Sequence, residues 1–394
     1  MNGAFIIWKK EILDSIRDRR TLVTAVLMPV FFMPVILIGS LKFQEYQAKQ
    51  IQEKPAKVAI SDEASAPTLV SYLNEIDTIE LSQTADFKKA IDNGDINIYI
   101  EVPQAFESDI LSQAPAEIKV YQKSSNLDSS AANSKVLAVL QQFNQIQSGT
   151  RLTEQGINPQ ILLAVIPTSE DIATAQEKGG FFLGLLLPMF IVLFAIIGGM
   201  YIAIDVSAGE KERKTLEALL LTPSSRLTIV TGKFLAVAST ASTTIVLSLA
   251  SMYAAFKFVP LDFGQGEITL NLTIGGVAIM LGIGIFLAIM FSGLLLSVAI
   301  FAKSYKEAQN YITPFYLVAV LPVAIFGQLP GFKPVVAFFL VPGVNAVFVI
   351  KEILLGVYDT NHILVTFVSL VIYAGISIVV ASRIYLREGI LFRD

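Results

Sequence analysis

The sequence contains no cysteine and a single histidine, His362. The first absence excludes disulfides, thiolate metal sites and cysteine nucleophiles, and the second argues against a multi-histidine metal site or a histidine relay. Charge is also scarce, because only 16% of the 394 residues are charged while 54% are hydrophobic. A soluble domain carries about 25% charged residues, so this composition indicates a membrane protein with several spans.

The uncharged stretches indicate how often the chain crosses the membrane, since one span needs about 20 apolar residues. Runs without Asp, Glu, Lys or Arg cover 21–41, 179–204, 234–256, 268–302, 308–332, 334–350 and 360–382. The run 334–350 is short and contains Pro342-Gly343. We therefore interpret 327–358 as a re-entrant segment of two short helices, which leaves six spans.

The basic residues predict the orientation of these spans, because short cytoplasmic loops carry an excess of Lys and Arg. With both termini inside, the cytoplasmic segments hold 15 basic residues, and the short outer loops hold three, Lys257, Lys333 and Lys351. A seventh span would move the three C-terminal arginines outside. We predict a multi-pass protein of the cell membrane with both termini in the cytoplasm.

Residues 1–20, ahead of the first span (21–41), have an amphipathic pattern. Phe5, Trp8, Ile12 and Ile16 are spaced by three and four residues and form one apolar face of a helix. This pattern predicts a cytoplasmic leader helix that lies in the headgroup plane. The alternative is a plain cytoplasmic extension of the first span.

Residues 42–178 are too polar for the bilayer, since they hold 11 basic and 19 acidic residues. Strand-like runs alternate with helix-like stretches, which predicts a small α/β domain outside the cytoplasm. The strand-like runs are Val58–Ile60, Ile96–Val102 and Ile118–Tyr121, and the helix-like stretches are Leu69–Glu75, Phe87–Ile91 and Ala131–Ile146. This block has no histidine, phosphate loop or metal-ligand spacing, so we expect a lid, a docking surface or a substrate handler.

The predicted fold class is thus a mainly α-helical membrane protein with six transmembrane helices and a re-entrant segment. The α/β extracytoplasmic domain is inserted between the first and second spans, and residues 179–394 form a five-span transmembrane domain.

The segment after the second span has the features of a docking surface. Residues 210–221 are rich in helix formers, five charged residues (210–214) open this stretch, and Pro223 ends it. Leu216, Leu219 and Leu220 give it an apolar face. We predict a cytoplasmic helix over 209–222 that docks a soluble partner; the alternative is an ordinary solvated loop.

This segment resembles the signature of type-2 ATP-binding-cassette exporter permeases. The matching residues are Gly209-Glu-Lys-Glu-Arg213, Thr215-Leu-Glu217, Leu219-Leu-Leu-Thr-Pro223, Ser225-Arg226 and Gly232-Lys233. Val341-Pro-Gly-Val-Asn345 and Lys351-Glu-Ile-Leu-Leu-Gly356 are similar to the pattern of the family before its last span. The layout of the whole chain resembles the NatB-type subgroup, which implies sodium extrusion.

The resemblance implies that two permease chains pair and that two cytoplasmic ATPase subunits dock beneath them. A homodimer is expected, with a heterodimer as the alternative. The residues that would couple to the ATPase are Glu210, Lys211, Glu212, Arg213, Thr215, Leu216, Glu217 and Arg226. ATP and magnesium would bind to the partner, because Gly232-Lys233 is followed by Phe234 and lacks the remainder of a P-loop. We expect no catalytic residues, metal, cofactor or nucleic acid on this chain.

The third span carries a stripe of hydroxyl side chains at helical spacing, Thr240, Thr244, Ser248 and Ser251. These hydroxyls could line a transport pathway, and the alternative is helix packing, which small and hydroxylated residues favour in lipid.

The substrate stays open at this point, because no carboxylate lies in the middle of a span, where cation pumps often place one. Besides sodium, the alternatives are lipid-like, drug or peptide substrates. A second class of function is a membrane-anchored interaction protein without transport. An intramembrane serine protease is the weakest alternative, because Ser292-Gly293 lacks the preceding glycine and His362 lies at a span boundary.

Overall fold

The computed structural model describes residues 3–162, 174–258, 261–262, 267–268, 273–329, 332 and 334–387. The residues outside this description include Pro330-Gly331 and Lys333, which belong to the predicted re-entrant and loop regions, and the C-terminal residues 388–394. The chain forms two compact units. One is Gln44–Ile172, and the other combines Met1–Phe43 with Ala173–Asp394.

We call the unit of Met1–Phe43 and Ala173–Asp394 the membrane unit. Its first part contains the leader helix and the first span. Its elements are α1 (Gly3–Arg17), α2 (Arg19–Leu22), a π-helical stretch (Val23–Phe32) and α3 (Met33–Glu53). The Asp18 side chain caps α2 by accepting hydrogen bonds from the Arg20 and Thr21 amides. Pro29 lies inside the π-helical stretch, and its missing N–H interrupts the regular helical hydrogen-bond pattern there.

The leader helix packs on the protein with the side opposite to part of its predicted apolar face. Ile7 and Glu11 are 7% and 3% exposed, whereas Phe5 and Ile16 are 48% and 58% exposed. The exposed apolar residues leave one side of the helix free for lipid, and the headgroup location stays a prediction.

The unit Gln44–Ile172 is a four-stranded sheet with helices. Its strands are β1 (Ala56–Ile60), β2 (Ile79–Leu81), β3 (Ile98–Glu101) and β4 (Lys119–Tyr121), in the order β2-β1-β3-β4. β1 is parallel to β2 and β3, and β4 is antiparallel to β3. The helices are α4 (Pro67–Asn74), α5 (Phe87–Asn93), α6 (Phe106–Leu111) and α7 (Leu127–Glu154), with 3-10 turns at Glu63–Ser65 and Pro159–Leu162.

The core of this unit lies between β1, β3, α4 and α7, where Val58, Ile98, Leu69 and Val136 are fully buried. β1, β3 and β4 fall in the three apolar runs of the sequence. β2 was missed, because it is three residues long and its central residue is charged. The extracytoplasmic location of the unit stays a prediction.

The described residues of the rest of the membrane unit form helices and two short strands. Its elements are α8 (Ala175–Ile204), a π-helical turn (Asp205–Gly209), α9 (Glu210–Glu212), α10 (Thr215–Leu220), α11 (Arg226–Phe258), β5 (Leu261–Asp262), β6 (Glu267–Ile268), α12 (Ile274–Ala299), α13 (Tyr305–Gln328), a 3-10 helix (Val336–Leu340), α14 (Val344–Leu354) and α15 (Thr360–Tyr385). α8 is central in this unit, since Leu187, Ile191 and Ala195 are fully buried.

Within the described residues, six helices are long and apolar enough to cross a membrane. They are Arg19–Phe43, Gly179–Glu212, Arg226–Phe256, Ile274–Ala299, Tyr305–Gln328 and Thr360–Tyr385. The number of these candidate spans agrees with the prediction of six. The run 334–350 forms part of two short helices that meet at Gly343, whose φ of +86° favours glycine. Whether this segment enters the membrane stays a prediction.

Candidate functional site

The predicted coupling segment is not a continuous helix. It consists of α9 and α10, separated by a turn in which Lys214 has a positive φ of 59°. The two short helices differ in what they bury, since α9 begins with the buried Glu210 and α10 buries Leu216. Leu216 is 4% exposed and packs with Val230, Ile300 and Tyr385.

The first residue of α9, Glu210, is buried and paired. Glu210 is 3% exposed, and Lys233 of the third span is fully buried. The Lys233 ammonium donates hydrogen bonds to the Glu210 carboxylate and to the carbonyl oxygen of Val206. An unpaired charge at such a site is costly, so these two residues depend on each other.

The leader helix brings two more charges to this pair. Lys10 Nζ lies 3.1 Å from Glu210 Oε1 and 3.1 Å from Glu11 Oε1. We call Lys10, Glu11, Glu210 and Lys233 the charge cluster, which has two positive and two negative residues. Its members come from three segments of the chain, so it joins the leader helix to α9 and to the third span.

The cluster changes the proton affinity of the leader helix residues. Partial burial lowers the pKa of Lys10, but the carboxylates of Glu11 and Glu210 outweigh it and raise the pKa above the ordinary value. Burial raises the pKa of Glu11, although the neighbouring Lys233 and Lys10 act in the opposite direction.

Gly232 allows the leader helix to approach the third span closely. A Cβ atom at this position would lie 2.7 Å from Ile7 Cβ and 2.8 Å from the carbonyl oxygen of Ala4. Both residues of the Gly232-Lys233 pair therefore have structural roles: the glycine makes room for the leader helix and the lysine pairs with Glu210.

The next three charged residues of the segment bond to the body of the unit. Lys211 donates to the carbonyl oxygen of Ile300, and Glu212 Oε2 accepts from the Tyr305 amide at 2.8 Å. Arg213 Nη1 lies 2.8 Å from Asp205 Oδ1, and this carboxylate raises the pKa of the guanidinium. Thr215 Oγ1 donates to the carbonyl oxygen of Glu210 at 3.3 Å.

The end of the segment is exposed. We call residues 217–223 the tip; its exposed residues include Glu217, Leu221, Thr222 and Pro223. Leu221, a large apolar side chain, is 88% exposed. Arg226 is half-buried at the start of α11.

Comparison with known proteins identifies the family. Residues 19–383 match the family model described as ABC-2 family transporter protein. The chain belongs to this family. It is also 30% identical over 390 residues to the ABC transporter permease protein NatB of Bacillus subtilis (strain 168), with 97% of each chain covered. The chain is therefore a multi-pass membrane permease, a transport subunit rather than an enzyme.

The hydroxyl stripe of this permease contacts its first span. Thr244 Oγ1 lies 3.1 Å from the Ala25 carbonyl oxygen, and Ser251 Oγ lies 3.0 Å from the Pro29 carbonyl oxygen. Each hydroxyl is shared with a carbonyl of its own helix, that of Thr240 at 3.0 Å and that of Ser248 at 2.9 Å. Ser248 Oγ lies 2.7 Å from Met33 Sδ. These contacts are those of helix packing.

Thr240 differs from the other three residues of the stripe, because it lines a groove beside the leader helix. Its hydroxyl bonds within its own helix, to the Ala236 carbonyl at 3.0 Å. Lining of a transport pathway by the stripe stays a prediction for this permease.

Sequence reasoning placed Glu210 among the docking residues and did not assign partners to Lys10, Glu11 or Lys233. The available signal was Lys233 itself, a lysine next to a glycine at the start of an apolar span. Leu221 was also missed as a site residue, although it follows the apolar residues of α10 directly.

Proposed function

We propose that this permease is the membrane subunit of an ATP-driven exporter and that a separate ATPase docks on its exposed tip. The observation that carries the proposal is the contrast within one segment. Its base is held by the charge cluster, while its tip presents Leu221, which is 88% exposed. A large apolar side chain at the exposed end of an anchored segment suits a protein interface.

The anchoring explains how a docked partner would move the spans. A force on the tip passes to α9, and from there through Glu210 to Lys233 of the third span and to Lys10 of the leader helix. Because breaking a buried ion pair costs several kcal/mol, about 3–5, the connected segments move together. The partner then biases an equilibrium between two arrangements of the spans.

The ATPase has to be a different chain. Phosphate binding in a P-loop needs a lysine that reaches the nucleotide, whereas Lys233 is buried against Glu210. ATP and magnesium therefore belong to the partner subunit, and a second permease chain, a homodimer in the simplest case, completes the transporter.

The test of the docking surface is the variant Leu221→Asp, with Leu111→Asp in the other unit as matched control, since Leu111 is 77% exposed. Burying a leucine side chain contributes about 1.5–3 kcal/mol, so Leu221→Asp should weaken ATPase binding by at least about ten-fold and abolish stimulated ATP hydrolysis. Membrane insertion and yield should not change. Equal ATPase binding by both variants would show that the tip is not the docking surface.

Sodium is the proposed substrate, and an amphipathic compound is the alternative. Asp205 pairs with Arg213, whereas only one oxygen of Glu352 is bonded, 2.8 Å from His362 Nδ1, and its buried Oε2 has no hydrogen-bond partner among the described residues. A sodium route would thus use hydroxyl and carbonyl oxygens, with Glu352 Oε2 as the one available carboxylate oxygen of this pair, and all of these suit a hard cation.

The substrate test uses proteoliposomes that contain the permease and its candidate ATPase. ATP-dependent movement of radioactive sodium out of the ATP-containing compartment would support sodium export. Stimulation of ATP hydrolysis by amphipathic compounds alone would support the exporter function and would favour an amphipathic substrate over sodium. Absence of any bound ATPase would favour the membrane-anchored interaction protein.

A further inference from the structure

A groove lies between the leader helix, the beginning of the first span and the third span. Its volume is about 250 Å³, equal to roughly eight water molecules at ~30 Å³ each. Its lining combines apolar residues, which include Trp8, Ile12, Ile16, Leu22 and Val26, with five serines and threonines, among them Thr243. Most of these side chains are apolar, and an apolar cavity holds water poorly. The groove therefore suits an apolar occupant.

The groove is fixed in shape at one wall and open at another. Trp8 Nε1 donates a hydrogen bond to Ser239 Oγ of the third span at 3.1 Å, which holds the indole ring in place. Ile16 and Leu22, at the turn into the first span, are 58% and 38% exposed. An acyl chain could reach the lining from the lipid phase, since the first span begins at Arg19.

Two arginines belong to the turn that carries the exposed lining residues. Arg17 and Arg19 are exposed and lie in sequence between the lining residues Ile16 and Leu22. The intervening Asp18 is engaged, because it accepts from the Arg20 and Thr21 amides and from the Thr21 hydroxyl. Neither Arg17 nor Arg19 has an ion pair with a carboxylate among the described residues. An apolar slot beside unpaired arginines complements the tail and the phosphate of an anionic lipid.

We propose that this groove binds an acyl chain of an anionic phospholipid whose phosphate lies against Arg17 and Arg19. The site is distinct from the tip and from the charge cluster, and it does not depend on the proposed exporter function. It requires only that Arg19 stands at a membrane boundary. A transported amphipath or a second copy of this chain in the groove are rival occupants that the experiment distinguishes.

The experiment uses Trp8, the one tryptophan of the chain, as the reporter. The full-length permease is placed in phosphatidylcholine nanodiscs with a small, fixed fraction of dibrominated lipid, either phosphatidylglycerol or phosphatidylcholine. Bromine quenches tryptophan only at short range. The expected enrichment of the anionic lipid at Trp8 is about five-fold per arginine, so brominated phosphatidylglycerol should quench several-fold more strongly.

Two sets of variants locate the bound lipid. Thr243→Phe should fill the groove and remove the excess quenching, whereas Thr231→Phe should leave it unchanged. Thr231 is the matched control, because both threonines are exposed on the third span and donate to the carbonyl four residues earlier. The variant with Arg17→Gln and Arg19→Gln changes only exposed side chains, and it should make the two brominated lipids equal.

Equal quenching by the two brominated lipids in the unmodified chain would overturn the proposal, as a non-selective groove would give this result. Loss of quenching by both lipids would also overturn it and indicate that protein covers the groove. Excess quenching that survives Thr243→Phe, or that survives loss of both arginines, would place the lipid elsewhere. Displacement of the brominated lipid by a transported amphipath at low concentration would assign the groove to the substrate instead.

Discussion

Lys233 has the most unusual environment among the charged residues of the charge cluster, since it is fully buried and bonded to Glu210 and to the Val206 carbonyl. Lys233→Met should lower the free energy of unfolding by about 3–5 kcal/mol, because it leaves Glu210 with one cation fewer in a buried site. The double variant Glu210→Met, Lys233→Met should recover a large part of this loss. Thermal unfolding in detergent measures both effects.

The control for this pair is Lys9→Met, an exposed lysine on the leader helix that should change stability by less than about 0.5 kcal/mol. If the double variant is no more stable than Lys233→Met, then the energetic coupling of Glu210 with Lys233 is absent. The assignment of the cluster as the anchor of the coupling segment would be wrong as well.

Glu11 should make the folding stability fall as pH rises, whereas an exposed, salt-bridged carboxylate makes the folding stability rise with pH. Burial raises its pKa in the folded state above 4.5, so the folded state binds this proton more tightly than the unfolded state does. The contribution of Glu11 to stability therefore falls as pH rises from 4.5 to the raised pKa, and it stays constant above. Glu11→Gln should gain stability relative to the native chain across that window.

The measurement for Glu11 is the unfolding midpoint of both proteins over the range from pH 4 to neutrality. Asp14→Asn is the matched control, because Asp14 is an exposed carboxylate on the same helix. A difference between Glu11→Gln and the native chain that shrinks with rising pH would contradict the assigned direction.

At the residue scale, the sequence could identify the segment but not the role of each charge. Glu210, Lys211, Glu212 and Arg213 form one run, and nothing in their order states that the first one is buried. Glu210 can be buried because it pairs with Lys233, 23 positions later, and with Lys10, 200 positions earlier. Such pairings come from tertiary packing, which a local pattern does not contain.

The junction of the first and third spans is decided at the scale of elements. Pro29 lacks the N–H that would bond to the Ala25 carbonyl in a regular helix. The Thr244 hydroxyl of the third span lies 3.1 Å from that carbonyl oxygen and shares its proton with the Thr240 carbonyl of its own helix at 3.0 Å. Thr244→Val keeps the shape of the side chain and removes the donor. We expect it to lower the free energy of unfolding by about 1 kcal/mol.

Thr231→Val is the control for this element, because Thr231 is exposed and bonds only within its own helix, to the Leu227 carbonyl. Its effect should be close to zero in the same thermal unfolding measurement. Equal losses for the two valine variants would mean that the hydroxyl of Thr244 does not hold the first span.

Elements with a strong local signal were predictable, and the others were not. The long apolar runs predicted the spans, since hydropathy over about 20 residues is a local property. The break at Lys214 was not predicted, because residues 210–221 favour helix locally, whereas the packing of Leu216 against Val230, Ile300 and Tyr385 is a tertiary contact that local propensity does not contain. The π-helical stretch Val23–Phe32 had no signal beyond Pro29.

At the scale of the whole molecule, the orientation of the chain can be tested directly because the sequence has no cysteine. Single variants Leu111→Cys and Leu221→Cys place one thiol on each unit at leucines that are 77% and 88% exposed. The positive-inside pattern predicts that a membrane-impermeant maleimide labels Leu111→Cys in intact cells and Leu221→Cys only after permeabilisation. Both thiols should react in detergent, which controls for accessibility. Labelling of Leu221→Cys in intact cells would place the tip outside, where no ATPase could reach it, and would reject the proposed coupling together with the predicted orientation.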